Sequence, residues 1–217
     1  MYIPGTKAQT NSDILYDASG TITTGGTPQL VRPMVPSCSH FLIQNNSASN
    51  AMFVEFGSAR ATAALTSGAV SSITVTNGGF NFTRAPIVRF SGGGYQGNTS
   101  FLGLNQPGGD GPNSSIVAGR VAQAHCVMTG SAGNLSVSSI VIDDPGAGYV
   151  KAPYVYIVNT GLDPYGCASP FFNSTTSGVQ LQSGGGSYYM NGTVCPTDPI
   201  SIYCSASAQP FTFKWMV

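Results

Sequence analysis

The side chains that most often carry chemistry are few in this chain and are not spaced as a site. His40 and His125 fall at strand starts or within apolar stretches, and no His-x-His, His-x3-His or His-Glu-x-x-His spacing occurs. The histidine pattern therefore does not predict a metal centre, and we interpret both histidines as structural.

The carboxylates also fail to suggest a catalytic pair. Acid–base catalysis needs two carboxylates in unlike environments, whereas most of those present here lie beside Pro or Gly, as turn residues do. One alternative is a Ca²⁺ site that combines Asp143 and Asp144 with the loop around Asp110 or Asp163, although the spacing matches no EF-hand. The remaining carboxylates are Asp13, Asp17, Glu55 and Asp198.

Nucleophilic and phosphate-binding motifs are absent from the sequence. The Gly184-Gly-Gly-Ser187 run lacks the second glycine of a nucleophile elbow, and neither it nor the glycine run at 92–94 opens a predicted helix. We assign no catalytic, cofactor-binding or metal-binding residue, expect no cofactor, and do not predict an enzyme.

Aromatic side chains in predicted loops and strands offer a different chemistry. They could stack on sugar rings, but aromatics in β-hairpins more often fill cores and interfaces between protomers, which is the interpretation we favour. The set is Tyr95, Phe101, Tyr149, Tyr154, Tyr156, Tyr165, Tyr188 and Tyr189.

The elements that must position these residues are predicted to be strands. Only 7% of the 217 residues are charged, Glu occurs once and Lys three times, while Gly contributes 28 residues and Pro 14. Abundant Val, Ile, Thr, Tyr and Phe, interrupted by Gly, Asn, Ser and Pro, indicate an almost entirely β chain.

Charge limits the partners of the chain. The formal net charge is zero and the eight basic residues do not cluster, so neither nucleic acid nor an anionic membrane is a predicted partner. A surface poor in Lys and Glu is typical of a protein covered by partners or by copies of itself, although a neutral domain with a Ser/Thr/Asn surface is an alternative.

Targeting and cysteine signals favour a reducing cytoplasm as the place of synthesis. The N-terminus has no basic region followed by an apolar stretch, and no apolar run approaches the length of a membrane span. The five cysteines form no Cys-x-x-Cys pair, so we expect mostly buried thiols, with a Cys195–Cys204 bridge as an alternative.

Two segments repeat one another 67 residues apart, at 70–90 and 137–157. Each reads as a strand, a turn with Gly, an aromatic residue, a basic residue with Ala-Pro, and a second strand, which predicts a β-hairpin. Residues 1–37 resemble an extended arm with short strands that crosses to a neighbour. Residues 40–57 are predicted as a third hairpin, residues 91–119 as a long loop, and the C-terminal residues as a strand of a sheet.

Residues 41–47, 53–57, 178–188 and 199–206 resemble a small β-sandwich module of tailed-bacteriophage virion proteins. In that family the corresponding strands run on directly, whereas here residues 61–175 separate them. The inserted repeats are similar to hairpin repeats of phage fibres, decoration proteins and bacterial surface proteins. The resemblance implies an all-β, jelly-roll-like β-sandwich built from residues 38–60 and 176–217, with an inserted domain of two hairpin repeats at 61–175.

The function implied by this resemblance is structural. We expect a capsid decoration or cement protein that binds the major capsid protein on the outer surface of the virion, as a homotrimer, and thereby stabilises the shell. The alternatives are a tail or fibre protein that binds a host receptor or glycan, and a passive tail or collar subunit. The resemblance transfers no catalytic residue.

Overall fold

The computed structural model describes residues 14–93, 120–159, 163, 165–170, 178–192 and 195–217. They form an all-β fold of antiparallel strands, as the composition predicted. The strands are β1 (Leu15–Asp17), β2 (Gly20–Thr21), β3 (Gln29–Arg32), β4 (His40–Asn45), β5 (Met52–Phe56), β6 (Arg60–Thr66), β7 (Ala69–Asn77), β8 (Ile87–Ser91), β9 (Gln123–Ser131), β10 (Asn134–Asp144), β11 (Tyr154–Val158), β12 (Val179–Leu181), β13 (Ser187–Asn191), β14 (Ile200–Tyr203) and β15 (Pro210–Met216).

Two of the three sheets pack face to face as a β-sandwich. The first has the order β1-β15-β4-β13, with β2 also paired to β15, and the second has the order β12-β5-β14-β3. Apolar side chains from both inner faces form one core, because alternate residues of a strand point to the same side. Fully buried members include Ile43 and Phe213 of the first sheet and Val54 and Ile202 of the second.

Residues 40–57 do not form the predicted hairpin. Both strands occur where they were expected, but β4 lies in the first sheet and β5 in the second, so the polar connection between them turns a corner of the sandwich. The buried Asn45 side chain holds this corner, because its Nδ2 donates to the carbonyls of Asn50, Leu181 and Gln182 at 2.8, 3.0 and 3.1 Å. Because β4 and β5 lie in facing sheets, each strand buries its apolar side against the other sheet. A hairpin of the two strands within one sheet would not by itself cover these sides.

The described part of the predicted arm packs on the sandwich of its own chain. Strands β1 and β2 pair with β15, and β3 pairs with β14. Ile22 and Arg32 are among the most deeply buried residues of the sandwich. Residues 14–37 therefore differ from the expectation of an arm that leaves its own chain, and residues 1–13 lie outside the described residues.

The third sheet is a nearly closed barrel with the order β10-β9-β8-β11-β6-β7. Its outermost strands meet at two backbone hydrogen bonds, from the Val137 amide to Gly78 (2.8 Å) and from the Val70 amide to Pro145 (2.9 Å). Of the predicted long loop, residues 94–119 lie outside the described residues.

The prediction that each repeat forms a hairpin is wrong. The two strands of the first repeat, β7 and β8, are not neighbours, and neither are β10 and β11 of the second. Instead β7 pairs with β6 and β10 with β9, while β8 and β11 pair with each other. Exchanging the two repeats reproduces the same strand order, so the barrel has an approximate two-fold axis.

The aromatic residue of each repeat is buried in the barrel. Phe82 and Tyr149 occupy equivalent positions and are both buried. Each ring lies against an equivalent glycine. A Cβ added to Gly79 would lie 2.8 Å from Phe82 and 2.5 Å from the Cys167 carbonyl oxygen, and one added to Gly146 would lie 2.8 Å from Tyr149 and 2.5 Å from the Arg120 carbonyl oxygen. Both glycines have a positive φ, so the repeated glycines permit the turn and also make room for the aromatic ring.

The segment 165–170 joins barrel and sandwich. Cys167 pairs with Phe80 of the barrel, while the Ala168 amide donates to Gly57 at 2.8 Å. The Ser201 hydroxyl, on the buried β14, donates to the Ala168 carbonyl at 2.5 Å. These bonds fix the inserted barrel against the second sheet.

Candidate binding face

The outer surface of β8 and β11 is the most distinctive exposed surface of the barrel. These strands pair in antiparallel register, with Tyr156 opposite Arg89 and Tyr154 opposite Ser91. The four side chains are exposed, while the intervening residues Val88, Phe90 and Val155 are more covered. Alternation along each strand thus separates a barrel-facing side from an outward side. We call this outward side, with Ile87 added, the β8–β11 face.

Aromatic and cationic groups are interleaved on this face. The Tyr154 and Tyr156 ring centroids lie 6.5 Å apart, with planes tilted by 50°. On the β6 side Tyr154 is opposite Thr62 and Tyr156 is opposite Arg60, so Tyr156 lies between two arginines in register. The two rings provide apolar area, and the neighbouring hydroxyls and guanidinium groups provide hydrogen-bond donors.

The two arginines differ in their electrostatic state. Arg60 Nη2 lies 2.5 Å from Glu55 Oε1, and Glu55 is almost completely buried, so that guanidinium is committed to a structural ion pair at the junction with the sandwich. Within the described part of the chain, Arg89 has no carboxylate partner. Arg89 is therefore the cation of this face that is free to meet an anionic group.

The repeat sequence explains why the face is organised in this way. In each repeat an Ala-Pro pair precedes the second strand, β8 or β11, and Pro86 and Pro153 are buried at its start. Each proline has a fixed φ and no backbone N–H to donate to a neighbouring strand, and both properties are tolerated at the beginning of a strand. The next residues, Ile87 and Tyr154, therefore begin both strands with an exposed side chain.

The predicted aromatic set divides between the surface and the interior. Tyr154, Tyr156, Tyr165 and Tyr189 are exposed, by 68%, 51%, 49% and 55% respectively. Tyr149 is buried, and its hydroxyl accepts a hydrogen bond from the Ala122 amide at 2.8 Å. Tyr188 packs on Phe41 and Phe56, while Tyr95 and Phe101 lie outside the described residues. The structure therefore brings together only Tyr154 and Tyr156 of this set.

Both histidines make local contacts. His40 Nδ1 lies 3.2 Å from the Ser39 hydroxyl, and its ring is near Tyr189. His125 Nδ1 lies 2.8 Å from Asp143 Oδ1 on the barrel surface.

The carboxylates of the alternative Ca²⁺ site are engaged separately. Asp144 accepts from Arg120 and from the Gly146 amide, and these hydrogen bonds lower its pKa, with the Arg120 bond the larger cause. Asp163 Oδ2 instead accepts from the amides of Thr83 and Arg84. Within the described ranges no three His, Cys, Asp or Glu side chains are grouped as metal ligands, and Asp110 lies outside them.

A cleft of about 340 Å³ lies between the two halves of the molecule. Thr27, Pro28 and Leu30 line it from the sandwich, and Phe80, Asn81 and Asn134 from the barrel. These lining residues include no acid, base or thiol, so they offer hydrogen bonds and apolar contact rather than proton transfer or nucleophilic attack.

Sequence reasoning missed Arg89 and the buried charges. Arg89 was detectable in principle, because it is equivalent to Tyr156 in the repeat and alternates with the inward Val88 and Phe90. Arg32 and Glu55 gave no signal, because nothing in the local sequence indicates that a charged residue of a strand will be buried.

Searches for similarity return no match to a protein family, to a curated protein or to a solved structure. Among the described residues there is also no helix long and apolar enough to cross a membrane.

Proposed function

We propose that this chain is a bacteriophage capsid decoration protein that attaches to the outer surface of the shell through its β-sandwich. The observation that carries the proposal is the exposed apolar edge of the first sheet. Ile14, Leu15 and Tyr16 are exposed by 54%, 60% and 40%, and β1 lies at the end of its sheet.

An exposed apolar edge strand favours pairing with another chain. Among the described strands, β1 pairs only with β15, so its outer N–H and C=O groups are available to an added strand, and apolar side chains along it add contact area. Tyr16 is held in place by stacking on Trp215, with ring centroids 5.0 Å apart and planes 10° from parallel. In the part of the chain that the structure describes, one ion pair, Asp17 with Lys214, lies at this edge, so little desolvation of charge opposes docking.

The barrel supports an orientation in which the sandwich, and not the barrel, lies on the shell. Its strands close on one another, so it offers little open sheet edge, whereas the sandwich retains edge strands. A sandwich on the shell would leave the inserted barrel pointing outward. Each bound copy would add contact area across neighbouring shell subunits and stabilise the shell by mass action. In a homotrimer, three sandwich edges would bind together and strengthen attachment through multivalency.

Cosedimentation with capsids that lack the protein tests this function. We expect saturable binding by the wild type and at least a roughly tenfold loss for Leu15→Lys, because a lysine places a charge on the docking edge. The matched control is Val150→Lys, which adds the same charge at an apolar barrel residue that is 72% exposed. Failure of the wild type to bind capsids would overturn the proposal, and equal loss in both variants would overturn the role of β1.

A second candidate function follows from the β8–β11 face. We propose as the alternative a tail or fibre protein that binds an acidic host glycan. Tyr154 and Tyr156 would stack on sugar rings, and Arg89 would pair with a carboxylate of the glycan. The favouring observation is that Arg89, which has no carboxylate partner among the described residues, lies beside two exposed tyrosines.

Binding of acidic oligosaccharides separates this candidate from the first. Titration with an oligouronate is expected to give saturable binding that Tyr156→Ala and Arg89→Gln each weaken about tenfold. Tyr189→Ala is the control, because Tyr189 is similarly exposed but lies on β13 of the sandwich. No binding by the wild type, or equal weakening by the control, would count against a glycan site on this face.

A further inference from the structure

Arg32 is a fully buried cation without a carboxylate partner in the described part of the chain. Its Nη2 donates to the carbonyls of Pro196 and Asp198 at 2.7 and 2.6 Å, its Nη1 donates to Cys38 Sγ at 3.1 Å, and its Nε has no partner. Burial lowers the pKa of Arg32, and its interaction with Cys38 opposes this effect. A cysteine sulfur thus occupies the position where a buried guanidinium normally has an anion.

A second thiol lies beside Cys38. Cys195 belongs to the sandwich core against which Cys38 packs, and its Sγ donates to the carbonyl of Ser39, the next residue after Cys38, at 3.2 Å. The Gly192 amide also donates to the Ser39 carbonyl, at 2.8 Å, which fixes the chain before Cys195 against the start of β4. Burial and the adjacent Cys38 thiol both raise the pKa of Cys195.

The two thiols differ in access. Cys38 is partly exposed, whereas Cys195 is buried, as are the other three cysteines. A reagent in solution therefore reaches Cys38 before Cys195. The Arg32 guanidinium, in contact with Cys38 Sγ, is placed to stabilise negative charge that develops on that sulfur during exchange.

We propose that Cys38 and Cys195 form a redox-active dithiol that closes to a disulfide when the folded protein meets a small-molecule disulfide such as oxidised glutathione. Cys38 loses its proton to solvent and attacks one sulfur of the reagent, which forms a mixed disulfide and releases one glutathione thiolate. Cys195 then loses its proton and attacks Cys38 Sγ, which releases the second glutathione. The two protein thiols are oxidised and the reagent is reduced to two thiols.

The bond would join distant parts of the sandwich. Cys38 lies in the connection before β4 and Cys195 in the connection between β13 and β14. Because the bond closes a long loop of the unfolded chain, we expect the oxidised form to have a Tm higher by roughly 5–10 °C. This inference does not depend on the proposed attachment to a capsid.

Peptide mapping of the full chain tests the proposal directly. The folded protein is treated with oxidised glutathione, its remaining thiols are alkylated, and it is digested with chymotrypsin, which cuts after aromatic residues. Cuts after Phe41, Tyr189 and Tyr203 separate Cys38, Cys195 and Cys204 into different peptides. A Cys38–Cys195 cross-link is expected, with the other three cysteines alkylated. Absence of this cross-link in the wild type, or linkage between other cysteines, would overturn the proposal.

Variants test the order of the two steps. Cys195→Ser is expected to retain a glutathione adduct on Cys38, whereas Cys38→Ser is expected to leave Cys195 as a free thiol. Cys126→Ser, at a buried cysteine of the barrel, should still form the cross-link and serves as the control. Reaction of Cys195 at the wild-type rate in Cys38→Ser would contradict the assignment of Cys38 as the first nucleophile.

Discussion

Arg89 and Tyr156 occupy the same position in the two repeats and lie directly opposite each other in the pairing of β8 with β11. The flanking pairs, Tyr154 with Ser91 and Val158 with Ile87, are exchanged by the same symmetry. The approximate two-fold axis of the barrel therefore passes through the Arg89–Tyr156 pair. At this one position the two repeats place a cation and an aromatic ring in contact range, where a perfect repeat would place two identical side chains.

The first prediction concerns this pair. Tyr156→Arg would put like charges opposite each other, with Arg60 on the other side, and is expected to lower the free energy of unfolding by about 0.5–1 kcal/mol. Arg89→Tyr would create an aromatic pair and is expected to be neutral or slightly stabilising. Urea unfolding at low ionic strength measures both. If added salt does not reduce the loss of unfolding free energy in Tyr156→Arg, charge repulsion is not its cause.

The repeated glycines give the second prediction. Gly79→Ala and Gly146→Ala each add a Cβ at positive φ that would lie 2.5 Å from a backbone carbonyl oxygen and 2.8 Å from a buried ring, so each is expected to destabilise the protein by about 2–4 kcal/mol. Gly133→Ala is the matched control, because it has a positive φ but no atom within 4 Å of the added Cβ. Its expected cost is about 1 kcal/mol. Equal losses at all three sites in thermal unfolding would show that the positive φ alone, rather than the contacts of the added Cβ with carbonyl and ring atoms, governs these positions.

The third prediction concerns the buried carboxylate at the junction of sandwich and barrel. Arg60→Ala would leave Glu55 buried without its ion-pair partner and is expected to cost about 1–3 kcal/mol of unfolding free energy. The double variant Arg60→Ala with Glu55→Gln should recover part of this loss, because the buried charge is removed. A double-variant cycle in urea measures the coupling, and additive losses would contradict it.

Asp144 gives the fourth prediction, on pH dependence. Hydrogen bonds from Arg120 and Gly146 lower its pKa in the folded protein, so its contribution to stability is present above the ordinary Asp pKa of about 3.9. That contribution is lost as the pH falls through the lower folded value. Asp144→Asn is therefore expected to have a lower Tm than the wild type near neutral pH and an equal Tm at strongly acidic pH. In an Arg120→Gln background, Asp144→Asn is expected to lower the Tm by less at neutral pH, because the larger cause of the pKa shift is gone. A Tm difference between Asp144→Asn and the wild type that persists in strong acid would contradict this role of the Asp144 carboxylate.

Strand positions were predictable because they depend on local alternation. Met52, Val54 and Phe56 identified the side of β5 that faces the sandwich core, and the repeat identified β7, β8, β10 and β11 of the barrel as strands. Pairing was not predictable in the same way, because a turn between two strands permits either a hairpin or a corner between sheets. The hairpin predicted at 40–57 is a corner of this kind, whereas the strands of each repeat stay in one sheet but pair with other strands, β7 with β6, β10 with β9, and β8 with β11.

The β8–β11 face was likewise predictable in its residues but not in how strand pairing brings them together. Tyr154 and Tyr156 were recognised from residue type, but their neighbour Arg89 is distant in sequence and meets them only through β8–β11 pairing. Likewise the contact of Arg32 with Cys38, and the packing of Cys38 on the core that contains Cys195, depend on burial in the sandwich, which local sequence does not encode.

The interleaving of the two repeats has a consequence for how such a barrel could arise. One repeat unit, corresponding to β6, β7 and β8, would by itself leave the outer sides of β6 and β7 and both sides of β8 unpaired, because β6 pairs with β11, β7 closes on β10 and β8 pairs with β9 and β11 of the other unit. Two separate copies could satisfy these edges only by assembling as a symmetric dimer. Tandem duplication joins those copies in one polypeptide, and each copy is then free to diverge, as Arg89 and Tyr156 have done.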